Sequence, residues 1–491
     1  MARILLWLAG GALLVVAALG TVVWRALRLP EPTAPAAVNF SLVGVTVVNP
    51  GRSREAHQTL EVRAGTIRRV ASSEAADDAG PFRDLQGAFV VPGLIDLHTH
   101  LPPDNALRLT PLAGLLYLAH GVTSIRDAGD VDGTAIPAAR HAFGDGGHPG
   151  PRLFACGPFV GGAPARWKNT IVLERAEDAE AVVARIAAGG FDCVKSYDSL
   201  DVPRIRALEA AADRHGLAVI GHVPEGLAYE EALVRDVQHL LGVAPPASLP
   251  RTHILDRVAD WHAVDGARLD AVVRATLEHG IVNTPTLVST HALLLYEDYQ
   301  AARRDPVARL LPRLYRDVVW HPRRGLLAYR EMSPEWLAKL KDAYAKKLEL
   351  VRRLHEAGAQ LHIGSDTQQP FVVPGAGVLE EMQLFRSAGI GVEETWAIAS
   401  VRAGADLPVP RLGQLEAGAP ADFLVLREDP TQDPEAIKTL EAVVAQGRLY
   451  TRQQLDAAQR AYRKRHGSFV FDRVSMFATR RVMKGLSAPE R

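Results

Sequence analysis

The chain has almost no cysteine. Cys156 and Cys193 are the only two in 491 residues, which excludes a disulfide-stapled scaffold and a paired-cysteine zinc ribbon. It has no excess of either charge. Lys plus Arg number 56 and Asp plus Glu number 56, so a whole-chain nucleic-acid binder, which should be basic, is excluded. Long apolar runs are scarce: the only one lies at the N-terminus, which excludes a multi-span membrane protein. With 47% hydrophobic and 23% charged residues, the composition is neither disordered nor collagenous.

The length suits one large barrel plus a small domain as well as three ordinary domains. The uncharged stretch is Ile4 to Trp24, 21 residues. As a helix it reaches about 31 Å, enough for a bilayer core. Trp7 and Trp24 stand near its ends as interfacial anchors. Residues 4–24 therefore read as a transmembrane helix or signal anchor, with cleavage near Ala18-Leu19-Gly20 as the rival reading. Residues 25–37, with Pro30, Pro32 and Pro35, read as an extended linker.

Short β-signals follow in 38–92 and recur in 408–452, which predicts one small β-sandwich domain built from both ends of the chain. Between them, residues 93–407 alternate strand-like and helical patterns. Eight strands are predicted: Leu94–His100, Thr123–Asp127, Leu153–Val160, Cys193–Tyr197, Ala218–Val223, Asp236–Leu241, Val282–Val288 and Leu361–Asp366. This alternation predicts an α/β fold, a (β/α)8 TIM barrel. The stretch from His291 to Gln360 is helical and charged, an excursion able to cover the barrel mouth. Residues 453–491 form a basic tail. From 457 onward nine Lys and Arg stand against Asp472 and Glu490, which suggests contact with anionic lipid.

Seventeen histidines are the unusual count, and their placement carries the chemistry. Pro92-Gly93-Leu94-Ile95-Asp96-Leu97-His98-Thr99-His100 puts two imidazoles two residues apart at the end of strand one. Both face inward, at the end of the barrel where such enzymes work. Partners stand at the ends of other strands: Lys195 on strand four, His222 on strand five, His239 on strand six and Asp366 on strand eight. Convergent imidazole and carboxylate groups suit a divalent metal. A buried lysine among histidines is costly, and carbamylation by carbon dioxide turns it into an anionic ligand able to bridge two ions. Tyr197 shares a face with Lys195 and could hydrogen-bond a carbonyl oxygen as a tetrahedral centre forms. Asp127 could serve the site or act as a cap or ion-pair partner, His291 could touch substrate, and Cys193 should fill space below the metals.

These motifs, in this order, resemble the metal-dependent amidohydrolase superfamily over roughly residues 39–452. Val194-Lys195-Ser196-Tyr197-Asp198 and Gly221-His222-Val223-Pro224 are most similar to its imidazolonepropionase and Xaa-Pro dipeptidase-like branch. The resemblance implies a binuclear centre. His98, His100 and Asp366 hold one ion, His222 and His239 the other, and carbamylated Lys195 lies between, zinc being the default metal. It further implies a hydrolase of C–N bonds (amide, dipeptide or cyclic amide) acting on a small molecule, with Asp366 moving the proton. The alternatives are lactone or phosphoester hydrolysis at the same site, or a non-catalytic membrane-tethered binding protein. The expected location is a bacterial inner membrane with the barrel in the periplasm, or the periplasm itself after signal cleavage. Assembly as a homo-oligomer stays open.

Overall fold

The computed structural model describes residues 2–73, 85–144, 147–232, 234–246, 255–330 and 332–486. The last five positions of the basic tail lie outside the described residues. The N-terminal helix runs Ala2–Leu27. Its Gly10–Leu27 window, of mean hydropathy 1.8, is long and apolar enough to cross a membrane, and none of it is buried by the rest of the chain.

Strands β1 (Phe40–Asn49), β2 (Ser53–Arg63), β3 (Thr66–Ser72) and β4 (Phe89–Pro92) follow. The central region contributes β5 (Leu94–Thr99), β6 (Val122–Asp127), β7 (Arg152–Ala155), β8 (Phe159–Gly161), β9 (Thr170–Val172), β10 (Cys193–Ser196), β11 (Ala218–Gly221), β12 (Asp236–Gln238) and β13 (Val282–Thr284). The chain closes with β14 (Phe423–Leu426), β15 (Leu440–Ala445) and β16 (Arg448–Thr451).

The two ends of the chain share one seven-stranded sheet, ordered β16-β15-β14-β4-β1-β2-β3. A two-sheet sandwich was the sequence-based expectation; among the described residues the domain is a single sheet. Period-two alternation explains how one sheet suffices. Val47, Val90, Phe423, Val425 and Val444 face a small core of the domain's own. Their neighbours Val48, Val91, Leu424, Leu426 and Val443 face the main core on the other side. The central domain thus supplies the covering layer that a second sheet would have provided.

Parallel strands form the central domain. β5-β6-β7 make one run and β13-β12-β11-β10-β8-β9 another. Asp192 N donates to Ala155 O (2.8 Å) where β10 begins, tying the two runs together. Segment 361–367 lies between β13 and β5, bridged at Asn283–Leu361 and Thr99–Thr367. It is not a regular strand, but Leu97 N donates to Ile363 O (2.9 Å), Asp366 N to His98 O and His100 N to Thr367 O (both 2.7 Å). The arrangement is TIM-barrel-like, beside a sheet domain.

Leu153–Val160, expected as one strand, is divided between β7 and β8. Between them Cys156 forms a disulfide with Cys193, their Cα atoms 4.4 Å apart. Cys193 is therefore not a free apolar filler. The linker is not a loose spacer either. Ala36 N donates to Leu449 O (2.7 Å) and Gln454 Nε2 to Ala34 O (3.1 Å). The tail forms two helices, Arg452–His466 and Phe469–Leu486, with Phe471 fully buried against the barrel.

Candidate metal centre

β5 aims His98 and His100 to one side, as residues two apart on a strand must point. Asp366 reaches them from segment 361–367. Its Oδ1 lies 3.4 Å from His98 Nε2 and 3.6 Å from His100 Nε2. Its Oδ2 lies 3.7 Å from His239 Nδ1. Potential ligand atoms of His98, His100 and Asp366 all fall within 4.8 Å of one another. The ring centroids of His98 and His239 are 4.6 Å apart, and those of His222 and His239 5.1 Å apart. The four histidines and Asp366 thus form one continuous cluster at the strand ends.

Close backbone approach makes this geometry possible. A Cβ on Gly364 would stand 2.6 Å from both His98 Cβ and Thr284 Cγ2, so only glycine lets this segment lie against β5. Gly221, just before His222, has φ +150°, and a Cβ there would meet Ser196 O at 2.1 Å. Asp366 (φ +54°) and His239 (φ +63°) adopt left-handed backbone. Such conformations in non-glycine residues concentrate at functional sites, where surrounding packing imposes them.

Supporting contacts fix the rings. His100 Nδ1 bonds Gly129 O (2.8 Å), which leaves Nε2 as the atom facing Asp366. His239 Nδ1 bonds Thr286 Oγ1 (2.7 Å). His222 Nδ1 lies 3.5 Å from Asp198 Oδ1, which also accepts from Arg257 (2.8 Å). Burial, then nearby Lys195 and His100, hold the His98 imidazole well below its usual value. Burial also depresses His239 and brings His222 down to about 4. These rings are neutral at neutral pH, the form that binds a cation. Among the described residues, neither ring nitrogen of fully buried His98 has a hydrogen-bond partner.

Lys195 is buried too. Its Nζ donates to the Gln238 side-chain oxygen, and burial lowers its pKa to about 7. The Tyr197 ring lies 4.4 Å from that of His222 and 5.0 Å from that of Phe159. Burial raises its phenol to about 12, so it remains a donor.

Among the described residues, Asp127 caps no helix and forms no salt bridge. It accepts from Leu101 N (2.8 Å) and Gly129 N (3.0 Å), holding the loops beside His100. His291 is not brought to the cluster. A helix begins at Leu287, and His291 on it pairs with Glu380 (2.8 Å). Asp96 and Asp198 are supporting residues that sequence reasoning left without a role. Buried Asp96 accepts from Ser365 N (2.9 Å) and Ser365 Oγ (2.5 Å), clamping the approach to Asp366 onto β5. Its shared parity with His98 was the available signal.

Residues 89–450 match the Amidohydrolase family. No curated protein matches by sequence. Among solved structures, a bottromycin amidohydrolase superposes with TM-score 0.68 at 22% identity, covering 91% of this chain and 97% of its own. A prolidase complexed with N-methylphosphonate-L-proline gives TM-score 0.61 at 21% identity, over 84% of this chain and 99% of its own. A Xaa-Pro dipeptidase with bound methionine gives 0.60 at 16%, over 84% and 100%. Identities this low speak for the fold. The family match spans most of the chain and supplies the identity: this protein belongs to the amidohydrolase family and is a hydrolase of carbon–nitrogen bonds.

Proposed function

We propose that this chain is a membrane-anchored, binuclear metallohydrolase that cleaves a dipeptide-like amide bond in a small molecule. We read its parallel strands as a closed (β/α)8 barrel with segment 361–367 as the eighth strand. The observation that carries the reading is the cluster itself. His98, His100, His239 and Asp366 meet at strand ends, and both nitrogens of buried His98 lack a hydrogen-bond partner among the described residues. A buried imidazole in that state suits a cation, since unsatisfied buried polar atoms cost about 1–3 kcal/mol each.

In this reading His98, His100 and Asp366 hold one divalent ion, and His222 and His239 the second. Lys195, once carbamylated, would supply an anionic oxygen ligand to both, with zinc the expected metal. Such ions, when bound, acidify a water and polarise a carbonyl. Burial brings Lys195 down to about 7, so much of it is the neutral amine near neutral pH. That amine adds carbon dioxide to give a carbamate and one released proton. The carboxylate of Asp366 takes the proton from water and delivers it to the leaving amine nitrogen. The Tyr197 phenol donates to the carbonyl oxygen as negative charge develops there. Phe159 and Trp167, packed around Tyr197, wall that side of the site against water.

The prolidase and Xaa-Pro dipeptidase among the structural neighbours favour a dipeptide-like substrate over a lactone or phosphoester. The disulfide favours an oxidising compartment and therefore a barrel outside the cytoplasm, with Ala2–Leu27 as its uncleaved anchor. The test is a screen of metal-replete protein against dipeptides, N-acyl amino acids and lactones, paired with metal analysis. About two ions per chain together with amide turnover support the proposal. Metal-free protein that remains active, or turnover confined to lactones, overturns it.

A further inference from the structure

The C-terminal helix Phe469–Leu486 has one face that nothing in the hydrolase reading uses. Phe471, Ser475 and Met483 are buried and fasten it to the domain. Phe469 and Phe477 are 73% and 69% exposed. At 100° per residue, Phe469, Val470, Arg473, Phe477, Arg480 and Arg481 fall within one arc of about 120° on the opposite side. The Arg473 guanidinium lies over the Phe469 ring, 5.1 Å from its centroid. Asp472 lies outside this arc and is engaged by Arg313 at 3.0 Å. The arc carries three guanidinium groups and no carboxylate. Its aromatic rings offer apolar bulk while its arginines reach for phosphate, the combination an anionic bilayer surface accepts.

Its position agrees. Arg465, just before this helix, donates to Leu27 O at 2.9 Å, the last residue of the N-terminal helix, and to Leu107 O at 2.7 Å beside the barrel mouth. One side chain therefore fixes the end of the apolar N-terminal helix to the start of the C-terminal one. Arg313, which holds Asp472, belongs to the excursion whose Tyr315 hydroxyl donates to Gln368 (3.1 Å), two residues past Asp366. Tyr315 and Gln368 also line a shallow apolar cleft with Leu109, Leu112 and Leu311.

We infer that Phe469–Leu486 is an interfacial membrane helix. It lays Phe469, Phe477 and the arginines between them on an anionic lipid surface, beside the point where the N-terminal helix enters the bilayer. The protein would then touch the membrane along a surface rather than hang from a single tether, with its barrel mouth held close to the lipid.

The test uses the full chain carrying a spin label at Phe477→Cys, the two native cysteines being disulfide-bonded. It is reconstituted in vesicles of phosphatidylcholine with or without phosphatidylglycerol. With the anionic lipid, the label should become accessible to oxygen and lose accessibility to a water-soluble nickel relaxant. Adding R473E/R480E/R481E should restore nickel access. A label at exposed Leu327 should stay nickel-accessible throughout. Intact mass determines separately whether the N-terminal helix is retained. Nickel access at position 477 in both lipids overturns the inference. Spin–spin broadening between labels in both lipids also overturns it, since a second copy of the chain would then cover the face.

Discussion

Arg126→Met should destabilise the protein far more than a surface arginine would. Arg126 and Asp236 have side chains only 5% and 4% exposed, and Arg126 NH2 bonds Asp236 Oδ2 at 2.5 Å. Arg126 Nε also donates to Leu97 O at 2.8 Å, within the strand that carries His98. Burial alone would raise the Asp236 carboxyl, but Arg126 and His362 together hold it below the usual carboxylate range. Methionine keeps most of the volume and removes the guanidinium, leaving the buried carboxylate with only His362 (3.3 Å) and Thr284 as partners among the described residues. Breaking such a pair from one side costs about 3–5 kcal/mol. The orphaned Leu97 carbonyl adds on the order of 1 kcal/mol. Urea denaturation of wild type, R126M, D236N and the double variant measures this as a cycle. Thr284 Oγ1 donates to Asp236 Oδ1 at 2.7 Å, and the amide oxygen of D236N can still accept that bond, so the double variant should recover much of the loss. A loss below about 1 kcal/mol for R126M, or strictly additive single losses, would refute the assignment of the cost to the carboxylate's lost guanidinium.

Asp366→Asn should retain much of the metal while kcat falls by roughly 10²–10⁴, because the amide keeps one oxygen ligand and loses the base; near-native kcat would give the proton to another residue. Lys195→Ala should lose metal and activity together, with partial rescue by added short carboxylic acids; full metal content and rate would make Lys195 purely structural. Stability should fall as pH rises from about 6, because burial would lower His362 but Asp236 and Asp406 raise it above its ordinary 6.5. That contribution is fully present below the unfolded value and disappears through the elevated folded one, so urea midpoints across pH should show a step that His362→Gln removes. Gly364→Ala should weaken metal binding in a titration, since its new methyl would stand 2.6 Å from His98 Cβ and push Asp366 away.

Much of the site could be read from strand parity. His98 and His100 share a face because they are two residues apart, and the other candidates sit at the ends of apolar runs. What parity cannot reach is adjacency between strands far apart in sequence. Cys156 and Cys193 are 37 positions apart and meet only because the end of β7 is brought beside the start of β10. Position after a strand also misleads where a helix starts at once: Leu287–Leu294 carries His291 outward to Glu380. The single sheet at the chain ends escaped notice for a related reason. Alternation says that a strand has two dry faces, but not whether the second is covered by a sheet or by the central domain.

The residues that aim the clustered side chains are a different set from the cluster itself, and mostly a silent one in sequence. Strand ends bring histidines near one another, but a regular strand would carry its next side chain to the opposite face. Turning His239 and Asp366 into the cluster takes left-handed backbone, which few non-glycine residues adopt without outside support. That support comes from neighbouring groups. Ser365 is gripped by Asp96, His239 by Thr286, and Asp366 N by the His98 carbonyl. Each contact joins segments distant in sequence, so the geometry of the cluster depends on the parallel strands being assembled. A cation bound by the clustered side chains would therefore also stabilise the strand order, by an amount set by its affinity for the folded chain.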